Sequence, residues 1–124
     1  LQSWLQGAFD SPVLPRRTKA LIFAVVARSL ECSFCEADAR AVLERDGFAP
    51  AEIDACVDAL GSPRLEPFES SILSWARDTV HYQPRVIQER TRALKAEIGE
   101  LALLEAIGVA SLANAVARLA MLRA

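Results

Sequence analysis

Two cysteines stand two residues apart in LECSFCEADA, residues 30–39, and they raise the first chemical question of the chain. Cys32 falls at or just before the first turn of a helix expected from about Ser33 to Asp46. There, unpaired backbone N–H groups and the positive end of the helix dipole favour a thiolate. Cys35 lies one turn further on, so the two sulfurs can join as a disulfide without moving the backbone far. A packing role competes with this one. Cys35, Ala39, Val42 and Leu43 form an i, i+4, i+7, i+8 stripe, and a buried cysteine often serves only as a small hydrophobe. A lone Cys-x-x-Cys is a weak signal, and by spacing alone both roles stay open.

Other chemistries fit the residues less well. On paper Cys32, Cys35, Cys56 and His81 supply a Cys₃His zinc set. Structural zinc sites usually bring a second closely spaced pair, whereas Cys56 and His81 are solitary and on separate expected helices, so no metal is expected. His81, the one histidine, suits the carbonyl end of the fourth helix, and Cys56 in AEIDACVDAL suits the core. A single histidine and the lack of a glycine-framed serine before a helix leave a hydrolytic triad unsupported. Glycine-rich phosphate cradles are absent as well, and no cofactor is expected.

The elements that must hold the pair are legible from start and stop signals. Pro15 opens a run to about Leu30, since proline is tolerated in a first turn where its missing N–H has no partner anyway. ALIFAVVARSL has the β-branching of a buried strand, but its length and the lack of a partner strand favour helix. The 33–46 helix ends at Gly47, suited to a left-handed cap, with Phe48 ready to pack back. Pro50 and Glu52 start a helix through Leu60, stopped by Gly61 and Pro63. Pro67 with Glu69 starts the next and Pro84 another, which Gly99 ends before a long final helix from about Glu100 to Leu122. LQSWLQGAF is expected as a short leading helix.

Phe68, Ile72, Trp75, Ala76 and Thr79 recur at helical spacing, as do Ile87, Leu94 and Ile98. The last helix is apolar nearly all round: Leu103, Ile107, Ala110 and Ala117 share one side, Leu104, Leu112, Ala115 and Leu119 another. Such a helix must be covered on both sides, and in a chain this short the second cover is expected from another subunit, hence a homo-oligomer.

Length and composition bound the rest. A chain of 124 residues that is 52% hydrophobic fits one domain, 1–124, with a core of its own. Alanine at 22 positions against 5 Gly and 6 Pro is a helical composition. A net charge of -2 with scattered Lys and Arg argues against nucleic acid as a partner. Residues 20–27 are too few to span a membrane. Residues 101–122 are long enough, but Glu105, Asn114 and Arg118 would be costly in hydrocarbon, so no membrane partner is expected. The amino end lacks the basic and apolar regions of a signal peptide, and it starts without Met, as a trimmed or partial sequence would. An odd cysteine count of 3 without an export signal points to a reducing cytoplasm.

LPRRTKALIFAVVARSLECSFCEADA, then a helix pair, then LEAIGVASLANAVARLAML resembles the alkylhydroperoxidase D and carboxymuconolactone decarboxylase family over nearly the whole chain from about Leu14. The resemblance implies an all-α bundle of about six helices that assembles as a homo-oligomer. In the redox branch it implies a thiol-dependent oxidoreductase that reduces hydroperoxides or disulfides. Cys35 would attack, Cys32 would resolve, and an external dithiol would restore the pair. That branch carries a Glu twelve residues before the first cysteine and a His four after the second. Here those positions are Ala20 and Ala39, neither able to move a proton. Glu31, Glu36 and Asp38 flank the pair, and Glu36 joins Cys32 and Cys35 as a candidate site residue. As proton acceptors they would assist; as fixed negative charges they raise a neighbouring thiol pKa; as first-turn residues they favour the positive helix end. The alternative from a different class is a catalytically degenerate member of the family, acting as an oligomerising or partner-binding module with the cysteines at most a redox sensor.

Overall fold

The computed structural model describes residues 13–60, 64–81 and 83–123. Among them six helices form and no strand does: α1 (Arg16–Ser29), α2 (Ser33–Arg45), α3 (Pro50–Ala59), α4 (Pro67–Val80), α5 (Pro84–Ile98) and α6 (Glu100–Arg123). The all-α expectation holds, and each bound lies within about a residue of its sequence signal. The expected leading helix and the Gly61 and Pro63 stop lie outside the described residues.

Helix α1 is the centre of the packing, touching α2, α3, α4 and α6. Residues 18–27 are all buried, which is why a β-branched stretch folds as helix here: its neighbours are helical faces and no strand edge pairs with it. Two buried polar arrangements tie it in place. The Lys19 ammonium is fully buried and pairs with Glu105 of α6 at 2.8 Å. Glu69 of α4, also fully buried, accepts from Arg17 at 2.5 and 3.1 Å and from the Thr18 hydroxyl at 2.7 Å.

Helix ends follow local chemistry. Gly47, at φ 93°, closes α2: its N–H reaches the Glu44 carbonyl, the Phe48 N–H reaches that of Leu43, and Phe48 buries its ring. At α3 and α4 the third residue reaches back, the Glu52 carboxylate accepting from the Ala49 N–H at 2.8 Å and that of Glu69 from the Glu66 N–H at 3.0 Å.

Along α6, Leu103, Ala110 and Ala117 are buried as the pattern predicts. Leu101, Leu104, Leu119 and Leu122 on the other side are exposed, the last at 83%. Ile107, expected on the covered side, stands partly open at 37%. By length and composition α6 could cross a membrane, and 39% of its most apolar window is buried against the other helices.

Candidate functional site

The turn between α1 and α2 aims the cysteines. After Leu30, Glu31 takes a left-handed conformation at φ 60°. Its N–H donates to the Arg28 carbonyl and the Cys32 N–H to that of Ala27, at 3.1 and 2.9 Å. This is the closing motif that Gly47 makes at the end of α2, built here on a residue with a side chain. Cys32 therefore has two roles at once: its N–H closes α1, and its carbonyl accepts the Glu36 N–H at 3.0 Å as the N-cap of α2.

The two sulfurs stand 2.7 Å apart, in hydrogen-bond contact, with Ala27 and Ala117 packed around them. A bonded pair would lie at about 2.05 Å, so closing the bond asks little movement. Both residues are buried, Cys32 at 6% and Cys35 at 8% exposure, yet each borders a cavity. Cys35 lines one of about 240 Å³ with Phe23, Phe34, Ala39, Val42 and Val116, whose single charged wall residue is Asp38. Cys32 lines a second of about 490 Å³ that includes Glu31 and Arg123. Phe34, 74% exposed, borders both.

Electrostatics oppose easy ionisation of Cys35. Burial pushes its thiol up from 9.0 to about 12, and the hydrogen bond and charge interaction with Cys32 and the charge of Asp38 push the same way. The Cys32 side chain takes no capping hydrogen bond from the α2 amides. At Cys35, desolvation outweighs whatever the helix end contributes.

Glu36 is engaged elsewhere. Its carboxylate accepts two hydrogen bonds from Arg28, at 2.9 and 3.0 Å, and one from Arg40 at 3.3 Å. Arg28 continues to Asp58 and Arg40 to Asp54, so the cluster clamps α1, α2 and α3 together. Glu36 thus orients the turn, while the acid beside Cys35 is Asp38, one helical turn on and visible in the sequence only by its i+3 spacing. Ala39 borders the Cys35 cavity, and Ala20 is fully buried in α1. Cys56 lies in the core and His81 is exposed at the end of α4. Among the described residues no group of three or more His, Cys, Asp or Glu is placed to hold a metal.

Comparison with protein-family models, with curated proteins and with solved structures yields no match.

Proposed function

We propose that the chain is a thiol-dependent oxidoreductase in which Cys32 and Cys35 cycle between dithiol and disulfide while reducing a hydroperoxide or a disulfide. The observation that supports this reading is the pair of sulfurs 2.7 Å apart at the wall of an apolar cavity. That lining favours an organic hydroperoxide with an aliphatic or aromatic body over hydrogen peroxide.

In the proposed cycle, following the resemblance, the Cys35 thiol gives its proton to Asp38 or water, and the thiolate attacks the terminal peroxide oxygen. An S–O bond forms, the O–O bond breaks, and the alkoxide leaves with a proton as the alcohol. Cys32 then attacks the sulfenic sulfur, forming the S–S bond and releasing water. An external dithiol reduces the disulfide and restores both thiols. The small thiolate population holds the rate down, because a thiol pushed up to about 12 is almost wholly protonated at pH 7. Turnover is expected to be slow at neutral pH and to rise with pH as the thiolate fraction grows. Peroxide turnover with a dithiol reductant tests the reading: Cys35→Ser abolishes it, and equal rates for the variant and the parent remove the idea.

A second reading has its own support in the raised Cys35 thiol, in alanine at positions 20 and 39, and in the exposed leucines of α6. On it the chain is an oligomerising module of the cytoplasm whose cysteines report redox state without turning over substrate. Peroxide consumption with excess dithiol separates the two, since many turnovers per chain favour the enzyme and a single reversible loss of two thiols without turnover favours the module.

A further inference from the structure

Asn114 and Arg118 are polar residues in the second half of α6, and neither lines the cysteine cavities. Both line a separate hollow of about 920 Å³ between α4, α5 and α6. Trp75, Ile87 and Ile107 give it apolar walls, Arg92 joins Arg118 as a second cation, and among the described residues no Asp or Glu borders it. Among the described residues neither guanidinium forms an ion pair, whereas Arg17, Arg28, Arg40, Arg64 and Arg90 all do. An unpaired arginine on an open surface is ordinary. Two of them on one hollow, with no carboxylate among its described lining residues, set a positive potential there that attracts an anion.

Arg118, Asn114 and Trp75 are held in place before any ligand arrives. Arg118 donates to the Val80 carbonyl at 3.3 Å and to Asn114 Oδ1 at 3.5 Å. The Asn114 amide donates to Thr79 Oγ1 at 3.1 Å and to the Ala110 carbonyl at 2.9 Å. Opposite them, Trp75 Nε1 donates to Thr91 Oγ1 at 2.9 Å, and that hydroxyl donates to the Ile87 carbonyl at 2.6 Å, which holds the indole against the cavity. Side chains already ordered lose little entropy on binding. Arg118 uses one guanidinium nitrogen in these contacts, which leaves its remaining N–H donors for a ligand.

We propose that this hollow is a binding site for a small organic carboxylate, its head group held by Arg92 and Arg118 and its aliphatic or aromatic body laid against Trp75, Ile87 and Ile107. Planar guanidinium groups match a carboxylate through paired, charge-assisted hydrogen bonds, and the apolar walls account for the rest of the ligand. The site requires nothing of the cysteines, so it stands or falls apart from their chemistry.

Trp75 provides the readout. With Trp4→Phe it becomes the sole tryptophan, and its fluorescence is followed while octanoate, octanol and octyl phosphate are titrated separately. Octanoate is expected to change the signal saturably at one per chain, with octanol at least about tenfold weaker. Arg92→Gln, an exposed position whose loss leaves the helices intact, is expected to weaken octanoate about tenfold, and Arg118→Gln at least as much, with octanol unaffected by either. Arg118→Lys restores part of the loss, as a charge-dependent site requires. Equal affinity for octanoate and octanol, octanoate binding unchanged by Arg92→Gln, or no saturable binding by millimolar concentrations would each overturn the proposal. A clear preference for octyl phosphate would overturn the assignment to carboxylates.

Discussion

Cys35 keeps its proton because its sulfur is desolvated, next to another sulfur and near a carboxylate, and each of those causes acts in the same direction. Asp38 is the one carboxylate among the described residues lining the Cys35 cavity, and Ala39 stands beside it on the same wall, where a larger side chain could also take the thiol proton. Ala39→His is therefore expected to raise peroxide turnover at neutral pH by about tenfold or more, in line with the usual contribution of a positioned base. Steady-state rates with a dithiol reductant check this, and a variant that folds yet turns over no faster counts against the assigned geometry. The sequence showed the pair and the carboxylates that flank it. It did not show which carboxylate faces Cys35, because Glu36 and Asp38 look alike until the arginines that occupy Glu36 are brought over from α1 and from one turn down α2. Nor did it show Glu31 in a left-handed turn, where glycine is the usual signal. Glu31→Gly relieves that conformation and is expected to stabilise the fold by up to about 1 kcal/mol, read from urea unfolding.

Helix by helix, proline, glycine and the reaching-back acids were reliable guides, since each acts within a few residues of itself. Long-range partners were not legible: Glu69 reads as an ordinary first-turn acid, yet it is the buried anchor joining α4 to α1. Burial alone would raise its pKa, but the Arg17 guanidinium, the Glu66 N–H and the Thr18 hydroxyl hold it below the usual carboxylate value of 4.5. The folded state then binds fewer protons than the unfolded chain as the pH falls through that range. Stability is fully present above about 4.5 and is lost as pH drops toward and through the lowered folded value. Urea midpoints from pH 7 to pH 3 are expected to show this slope, and Glu69→Gln to flatten it. Glu69→Ala is expected to cost about 1–3 kcal/mol, because the buried Thr18 hydroxyl loses its acceptor while the Arg17 guanidinium, a third exposed, can turn to water.

At the scale of the molecule, one helix divides its sides among different tasks. Helix α6 covers α1 with its alanines, closes the cysteine cavities with Val116 and Ala120, and lines the arginine-bearing hollow with Asn114 and Arg118. That leaves Leu101, Leu104, Leu119 and Leu122 as an exposed stripe. The two-sided apolar pattern in the sequence announced an uncovered face, and the described helices do leave one. We propose that a second copy covers it. Sedimentation velocity on Leu104→Lys combined with Leu119→Lys is expected to show monomer where the parent sediments as an oligomer, and an unchanged assembly would move the interface elsewhere. The proposed chemistry needs the cysteines to act as a couple, which thiol counting with peptide mapping after one equivalent of an apolar organic hydroperoxide will decide. Loss of two thiols, a disulfide joining Cys32 to Cys35, Cys56 unmodified, and recovery of both thiols with a dithiol are expected; three free thiols after excess peroxide would rule the couple out.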